Sequence, residues 1–277
     1  MNLAIRCIIF LACCGPGWAK CSDQSDPNEA SSPCSATTSA SFSALEGALG
    51  PLVHADFRRG KLSLEPGFYL RYRRLSISNN HHFAVRRDDD LFRGIGLDVS
   101  SVGRWNFSVG LRLDRGGRAS TIESLAGHDD IPATIRIRTS ATYHLSSRSN
   151  ITTTWSTDVA GKGGGQTLDL SFSRDEMVSD GVRWNFGFGL RAADTGFQRL
   201  RFGVSPQQAE ISGLPVFRPS SGWVSASMGS SLRFEMHRDW VSFIGISISQ
   251  PLGSQRQSPL VSGQIHGSIQ AGVARRF

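Results

Sequence analysis

Histidine and aspartate gather at a few places in this sequence, and each raises the question of metal or acid–base chemistry. His81-His82 stands shortly before Asp88-Asp89-Asp90, and His128-Asp129-Asp130 comes just ahead of Pro132. A metal site needs its ligands on one side of the chain. Adjacent residues of a strand point to opposite faces, so His81 and His82 cannot both meet one ion. The Asp88 to Asp90 run reads as a solvated loop rather than a calcium site. Hydrolysis would join His128 and its acidic neighbours to one of the many serines. No Gly-x-Ser-x-Gly elbow occurs, however, and serine is abundant in turns for conformational reasons. Gly161 to Gly165 (GKGGG) lacks the spacing of a phosphate loop and the Ser/Thr that closes one, so it is a turn. The expectation is a protein with no catalytic residue, no bound metal and no cofactor.

The arginines follow a clearer pattern. Arg71, Arg73, Arg112, Arg136, Arg138 and Arg191 all fall on the polar side of segments in which apolar and polar residues alternate. If those segments are strands closed into a barrel, the six guanidinium groups point inward. A positive ring in a water-filled lumen favours anions. The alternative is that they pair with Glu65, Asp158 and Asp169 in a filled interior. A narrow barrel leans toward the second, because long side chains can fill it. Basic residues of the connections, such as Arg115 and Arg118, suit the phosphates of lipopolysaccharide.

What positions these side chains is a set of long alternating segments. RWNFSVGLR (Arg104 to Arg112) and RWNFGFGLR (Arg183 to Arg191) nearly repeat each other. Trp105, Phe107, Val109, Leu111 and Leu113 share one parity, and Asn106, Ser108, Gly110 and Arg112 the other. Trp184, Phe186, Phe188 and Leu190 stand likewise against Asn185, Gly187, Gly189 and Arg191. Period-two alternation predicts strands whose faces meet different surroundings. Similar segments run through residues 62–72, 134–145, 151–159, 168–173, 224–234, 240–248 and 265–277. Most measure about nine to thirteen residues, the length with which a tilted strand crosses a bilayer. Soluble sandwiches favour about five or six.

Ten such segments are counted, the nine named among them. Two more near 42–57 and 196–203 bring the total to twelve. Tight connections such as Ser146 to Ser149 and His237 to Asp239 alternate with long polar ones, Arg115 to Pro132 and Phe202 to Ser221. Trp105 and Trp184 open their strands where an indole prefers to sit, at a bilayer–water boundary. The predicted fold is all-β: a single antiparallel up-and-down transmembrane β-barrel of about 12 strands (10–12). Phe277 ends the chain on the apolar parity of Ile269, Ala271 and Val273, as a barrel-insertion signal does, with Arg275 interrupting that parity. A soluble barrel with its aromatics inside is the competing reading.

Composition agrees with export and with strands. The chain of 277 residues is 39% hydrophobic and 19% charged, with 30 glycines and 16 phenylalanines. No helical pattern rich in Leu, Ala, Glu and Lys follows the first twenty residues. Met1 to Arg6 is basic, Cys7 to Cys14 (CIIFLACC) is apolar, and Gly17-Trp18-Ala19 offers a cleavage site, so a signal peptide over 1–19 is expected. A lipidated start at Cys14 is the rival, with Cys13 where a small residue is wanted. A flexible polar segment over 20–40 precedes a barrel over 41–277. Cys21 and Cys34 can pair in an oxidising compartment or remain as two free thiols. No later apolar run reaches the length of a membrane helix. Export rather than the net charge of +7 excludes nucleic acid as a partner.

The stretch FGVSPQQAEISGLPVFRPSSGW (Phe202 to Trp223) resembles the signature of the MipA/OmpV family. There a Tyr-Phe-Gly-Val-Ser string leads to Ser-Gly-Leu-Pro, here Phe202, Gly203, Val204 and Ser205, then Ser212, Gly213, Leu214 and Pro215. Asp239-Trp240, Pro251 to Gly253 and Ser258 to Val261 resemble the family's final hairpin, and Leu125 to Ile135 a segment ahead of a family strand. Arg201 stands where a Tyr usually precedes the Phe, and Arg275-Arg276-Phe277 replaces the usual Tyr-Arg-Phe ending. The resemblance is strong from about residue 196 onward and loose before. It implies an outer-membrane barrel without catalytic residues. It further implies a scaffold that joins a murein transglycosylase to a peptidoglycan synthase, or else a surface adhesin or a porin-like channel. A narrow anion-preferring channel is the alternative the arginines suggest.

Overall fold

Alternating segments of this length have to satisfy every backbone N–H and C=O between strands, and closing the sheet on itself leaves no edge. The computed structural model describes residues 45–57, 60–79, 94–114, 131–237, 239–261 and 265–277. In order these form β1 (Leu45–Asp56), β2 (Lys61–Tyr72), β3 (Leu75–Ser78) and β4 (Gly94–Val102). Then come β5 (Trp105–Asp114), β6 (Thr134–Ser146), β7 (Ser149–Asp158), β8 (Gln166–Ser179) and β9 (Val182–Ala193). Two helices follow, α1 (Thr195–Phe202) and α2 (Pro206–Ser212), before β10 (Gly222–His237) and β11 (Trp240–Pro251). A short α3 (Gly253–Arg256) precedes β12 (His266–Arg276). Each strand pairs antiparallel with its neighbour in sequence, and β12 returns to β1, giving a closed up-and-down barrel.

One expectation is corrected. The stretch near 196–203 is not a strand but α1. Asp194 caps it by accepting the Phe197 amide, and Phe197 and Gln198 are buried one turn into it. Phe197 and Leu200 are spaced as on a helix while Leu200 and Phe202 are spaced as on a strand, and the cap decides between them. The full complement of strands is reached instead within 75–102, where β3 is short and β4 carries a bulge between Asp98 and Ser100. The proposed signal segment, Cys14, Cys21, Cys34, His81-His82, the Asp88 to Asp90 run, Arg115, Arg118 and His128 to Asp130 lie outside the described residues.

The barrel is polar within and apolar without. Ser108, Ser140, Thr142, Thr152, Thr154 and Ser156 are buried on the inner face. Leu62 and Leu64 are 71% and 73% exposed on the outer face, and Phe107, Val109, Leu111, Ile244 and Ile246 are also exposed there. An exposed apolar belt of that extent is stable only against hydrocarbon. No helix among the described residues is long and apolar enough to cross a membrane. Inside, small hydroxyl side chains meet across strands, Ser108 with Ser140 at 2.7 Å and Thr142 with Thr152 at 2.9 Å. These bonds satisfy buried polar groups that lipid could not.

The two rims differ. Two residues separate β2 from β3, β4 from β5, β6 from β7, β8 from β9 and β10 from β11, and all five connections lie on one rim. Leu45 and Phe277 lie on that same rim, where Gly47 and Phe277 exchange backbone hydrogen bonds of 3.1 and 3.0 Å. Trp105, Trp184 and Trp240 face outward near it. Trp105 packs on Tyr143 with centroids 4.9 Å apart, and Trp184 Nε1 donates to Ser230 Oγ at 2.7 Å. Just inside this rim the lumen is apolar on one side: Ala48, Leu52, Tyr69, Val241, Phe243 and Ala274 form a buried cluster contributed by β1, β2, β11 and β12. The opposite rim carries the long connections, including 194–221 with α1 and α2.

Candidate functional site

The long-loop end of the lumen is built around Arg136, which is 5% exposed on β6. Its Nε donates to Ser156 Oγ at 2.9 Å on β7. Nη1 donates to the Gly164 carbonyl at 2.7 Å and Nη2 to that of Gly165 at 3.1 Å. A charged group buried this deeply needs such partners. The glycine run supplies them because Gly161, Gly163 and Gly165 all have positive φ, which turns the carbonyls toward the guanidinium. Asp158, the last residue of β7, fixes the loop from the other side. It accepts the Gly164 and Ala160 amides at 2.8 and 3.0 Å and the Thr134 hydroxyl.

Helix α1 packs onto this arrangement. A Cβ on Gly165 would fall 2.2 Å from Asp194 Oδ1 and 2.3 Å from the Phe197 nitrogen, so only glycine permits the approach. The Arg136 and Arg201 guanidinium carbons lie 5.5 and 5.0 Å from the centroid of the Phe197 ring, within cation–π range of it. Arg201 then reaches Asp114 at the end of β5, with 2.6 Å between Nη2 and Oδ2. The strand that leads into α1 is β9, so this ion pair reaches across several strands of the rim. Gln198 is fully buried and accepts from Ser254 Oγ of α3 at 2.7 Å, and Ser258 Oγ donates to the Phe202 carbonyl at 2.7 Å.

The signature stretch completes this cover. Val204, almost wholly buried, pairs with Phe217 through backbone bonds of 2.9 and 3.0 Å. Ser205 and Gln208 form a capping box at the start of α2, with Pro206 in its first turn. Gly213 ends the helix in the left-handed conformation that favours glycine, and Leu214-Pro215 leads away. Ser205, Pro206, Gln208 and Gly213 thus each have a backbone reason.

The predicted inner arginines are distributed as follows. Arg71 on β2 pairs with Asp98 of β4 at 2.7 Å, not with Glu65. Arg191 pairs with Asp169 at 2.6 Å. Arg112 and Arg136 stand directly opposite each other on β5 and β6, and Arg138 is one inward step further along β6. Arg73 is elsewhere. It lies in the turn between β2 and β3 with positive φ, beside the Tyr72 ring, because two-residue hairpins demand that conformation. The residues that complete the cover, Asp114 and Arg201, are not among those the alternation picks out. Asp114 does share the parity of Arg112. Phe277 closes the seam with Gly47 as described, and among the described residues no group of three His, Cys, Asp or Glu could hold a metal ion.

A family model described as the MltA-interacting protein MipA matches residues 47–277, all of the barrel but its first two residues. The chain belongs to the MipA family. As a barrel of the MipA family it is an outer-membrane protein, and its short-turn rim is the periplasmic one. No curated protein matches the chain. Among solved structures it is similar to the KdgM porin at 8% identity and a TM-score of 0.41, over 83% of this chain and 99% of that one. It is similar to Salmonella typhi OmpF in complex with daunomycin at 8% identity and a TM-score of 0.40, over 84% and 97%. An anion-selective porin from Comamonas acidovorans is similar at 9% identity and a TM-score of 0.35, over 84% and 98%. What those porins carry is their own property.

Proposed function

We propose that this MipA-family barrel is a non-catalytic docking component that holds cell-wall remodelling enzymes at the periplasmic face of the outer membrane. The partners would be a murein transglycosylase and, through it, a peptidoglycan synthase. The observation that carries the reading is the match of a family described by its interaction with MltA, a murein transglycosylase, across the barrel. The interior supports it. Arg136, Arg191 and Arg201 are committed to internal bonds at the outer mouth, and an apolar cluster lines one side of the inner end. What remains accessible on the periplasmic side is the rim, where Arg73, Arg74, Arg104 and Arg148 are exposed in the turns. An acidic surface on the partner would complement it.

The test is capture of a purified murein transglycosylase by the full protein in lipid vesicles. Binding is expected to weaken at least tenfold when Arg104→Glu and Arg148→Glu are combined. A barrel that captures no transglycosylase, or holds it equally well without those charges, overturns the reading. The second reading, a narrow anion-preferring channel, draws on the inward placement of Arg112 and Arg138.

A further inference from the structure

The periplasmic end of the lumen holds a second group of arginines, distinct from the outer cover. Arg183 of β9 and Arg233 of β10 stand directly opposite each other on the inner face. Like charges so placed repel unless something neutralises them. Arg276 of β12 approaches the same point, because its Nη2 lies 3.3 Å from Glu235 Oε1 while Arg183 Nη2 lies 4.0 Å from that same oxygen. Glu235 is therefore shared by two arginines. Asp175, the other carboxylate near Arg233, already accepts from Asn185 Nδ2 at 2.9 Å. Arg233 is left over. It makes no ion pair with a described residue, and its Nε is buried without a hydrogen-bond partner, as is the Nε of Arg276.

Beside this cluster the wall is hollow. A recess of about 150 Å³ is lined by inward-facing Asn185, Gly187, Gly229, Ser231, Ser247 and Gln270. Ser231 and Asn185 oppose each other one inward step, two residues along each strand, from the Arg183 and Arg233 pair. Glycine and serine at these positions leave space that larger side chains would fill. The volume equals about five water molecules' share of the liquid. That is room for one small anion and the waters that accompany it.

We propose that the periplasmic end of the lumen is a binding site for a small oxyanion, held by Arg233 with Arg183 and Arg276 beside the room this recess provides. Arg233 is the guanidinium of this group without a carboxylate of its own, and a phosphate or carboxylate meets the forked N–H geometry of arginine. Bound there, the anion neutralises the facing pair and gives the buried Nε groups a partner. The site stands apart from docking at the rim, and neither depends on the other.

The experiment is calorimetric titration of the full protein, purified in detergent at low ionic strength, with inorganic phosphate and, separately, with acetate. Saturable binding at one site per barrel is expected. Arg233→Gln should weaken it at least tenfold, Arg233→Lys, which keeps the charge but not the fork, should weaken it less, and Arg191→Gln, at the other end of the lumen, should leave it within twofold. Tighter binding of acetate than phosphate would assign the same site to carboxylate solutes. Heat-modifiable migration on gels verifies that each variant is folded, and Arg183→Gln replaces Arg233→Gln if the latter is not. No saturable binding of either anion, equal binding by the Arg233→Gln protein, or equal loss in the Arg191→Gln protein would overturn the proposal.

Discussion

Replacing Arg136 with alanine should release the cover over the outer mouth while leaving the barrel closed. The guanidinium makes four hydrogen bonds of 2.7 to 3.3 Å, two to Ser156 and one each to Gly164 and Gly165, and it lies against Phe197. Each such charge-assisted bond contributes about 1.5–3 kcal/mol net, and bonds that share one group do not add fully. A loss of about 3 kcal/mol is therefore expected in the free energy that holds residues 159–165 and α1 against β6 and β7. At about 1.4 kcal/mol per factor of ten, local opening becomes about a hundredfold more frequent. Hydrogen exchange read by mass spectrometry should show that loss of protection in peptides covering 159–165 and 194–204, with β1 and β12 unchanged. Arg136→Lys keeps the charge but not the fork, so an intermediate effect is expected. If the alanine variant is folded and its exchange in both peptides stays within threefold of the parent, Arg136 does not hold the cover.

Other consequences can be checked separately. Val109→Arg puts a charge on the lipid-facing side of β5 near its middle and should destabilise the barrel by about 2–4 kcal/mol, measured by denaturant titration in vesicles. A Cβ on Gly50 would lie 1.8 Å from the Val273 carbonyl oxygen, so Gly50→Ala should impair closure of β1 on β12 and abolish heat-modifiable migration. Gly229→Ala, whose Cβ would meet nothing nearer than 3.4 Å, should migrate as the parent does. Asp114→Asn and Arg201→Gln should show a coupling of about 1–3 kcal/mol in a double-mutant cycle on exchange at α1. Additive effects would mean that the 2.6 Å pair contributes nothing to the cover.

The strands were legible where alternation is unbroken. Trp105 to Leu113 and Trp184 to Leu190 sort their residues by parity without exception, and β5 and β9 follow. In β4 the bulge between Asp98 and Ser100 shifts the parity in mid-strand, which hides it from period counting. The stretch 196–203 misleads because a few apolar residues do not separate two periods. Asp194, placed to cap, was the available signal. The inward arginines could be read from parity, but their partners could not, because partners depend on register between strands. Arg183 shares the parity of Arg191 within the repeated string, yet only the pairing of β9 with β10 sets it opposite Arg233, and the bulge between Trp223 and Ser225 obscures that register. Arg201 reaches Asp114 through a helix whose path over the rim no local pattern specifies.

The outer mouth of the barrel is closed by polar groups engaged with one another, and the proposed role lies at the periplasmic rim. Planar-bilayer recording tests this most directly. The parent protein should pass no steady current, and discrete steps should arise once Arg136→Ala frees the outer cover. Steady anion-selective steps from the unaltered protein would contradict the account and identify an open pore.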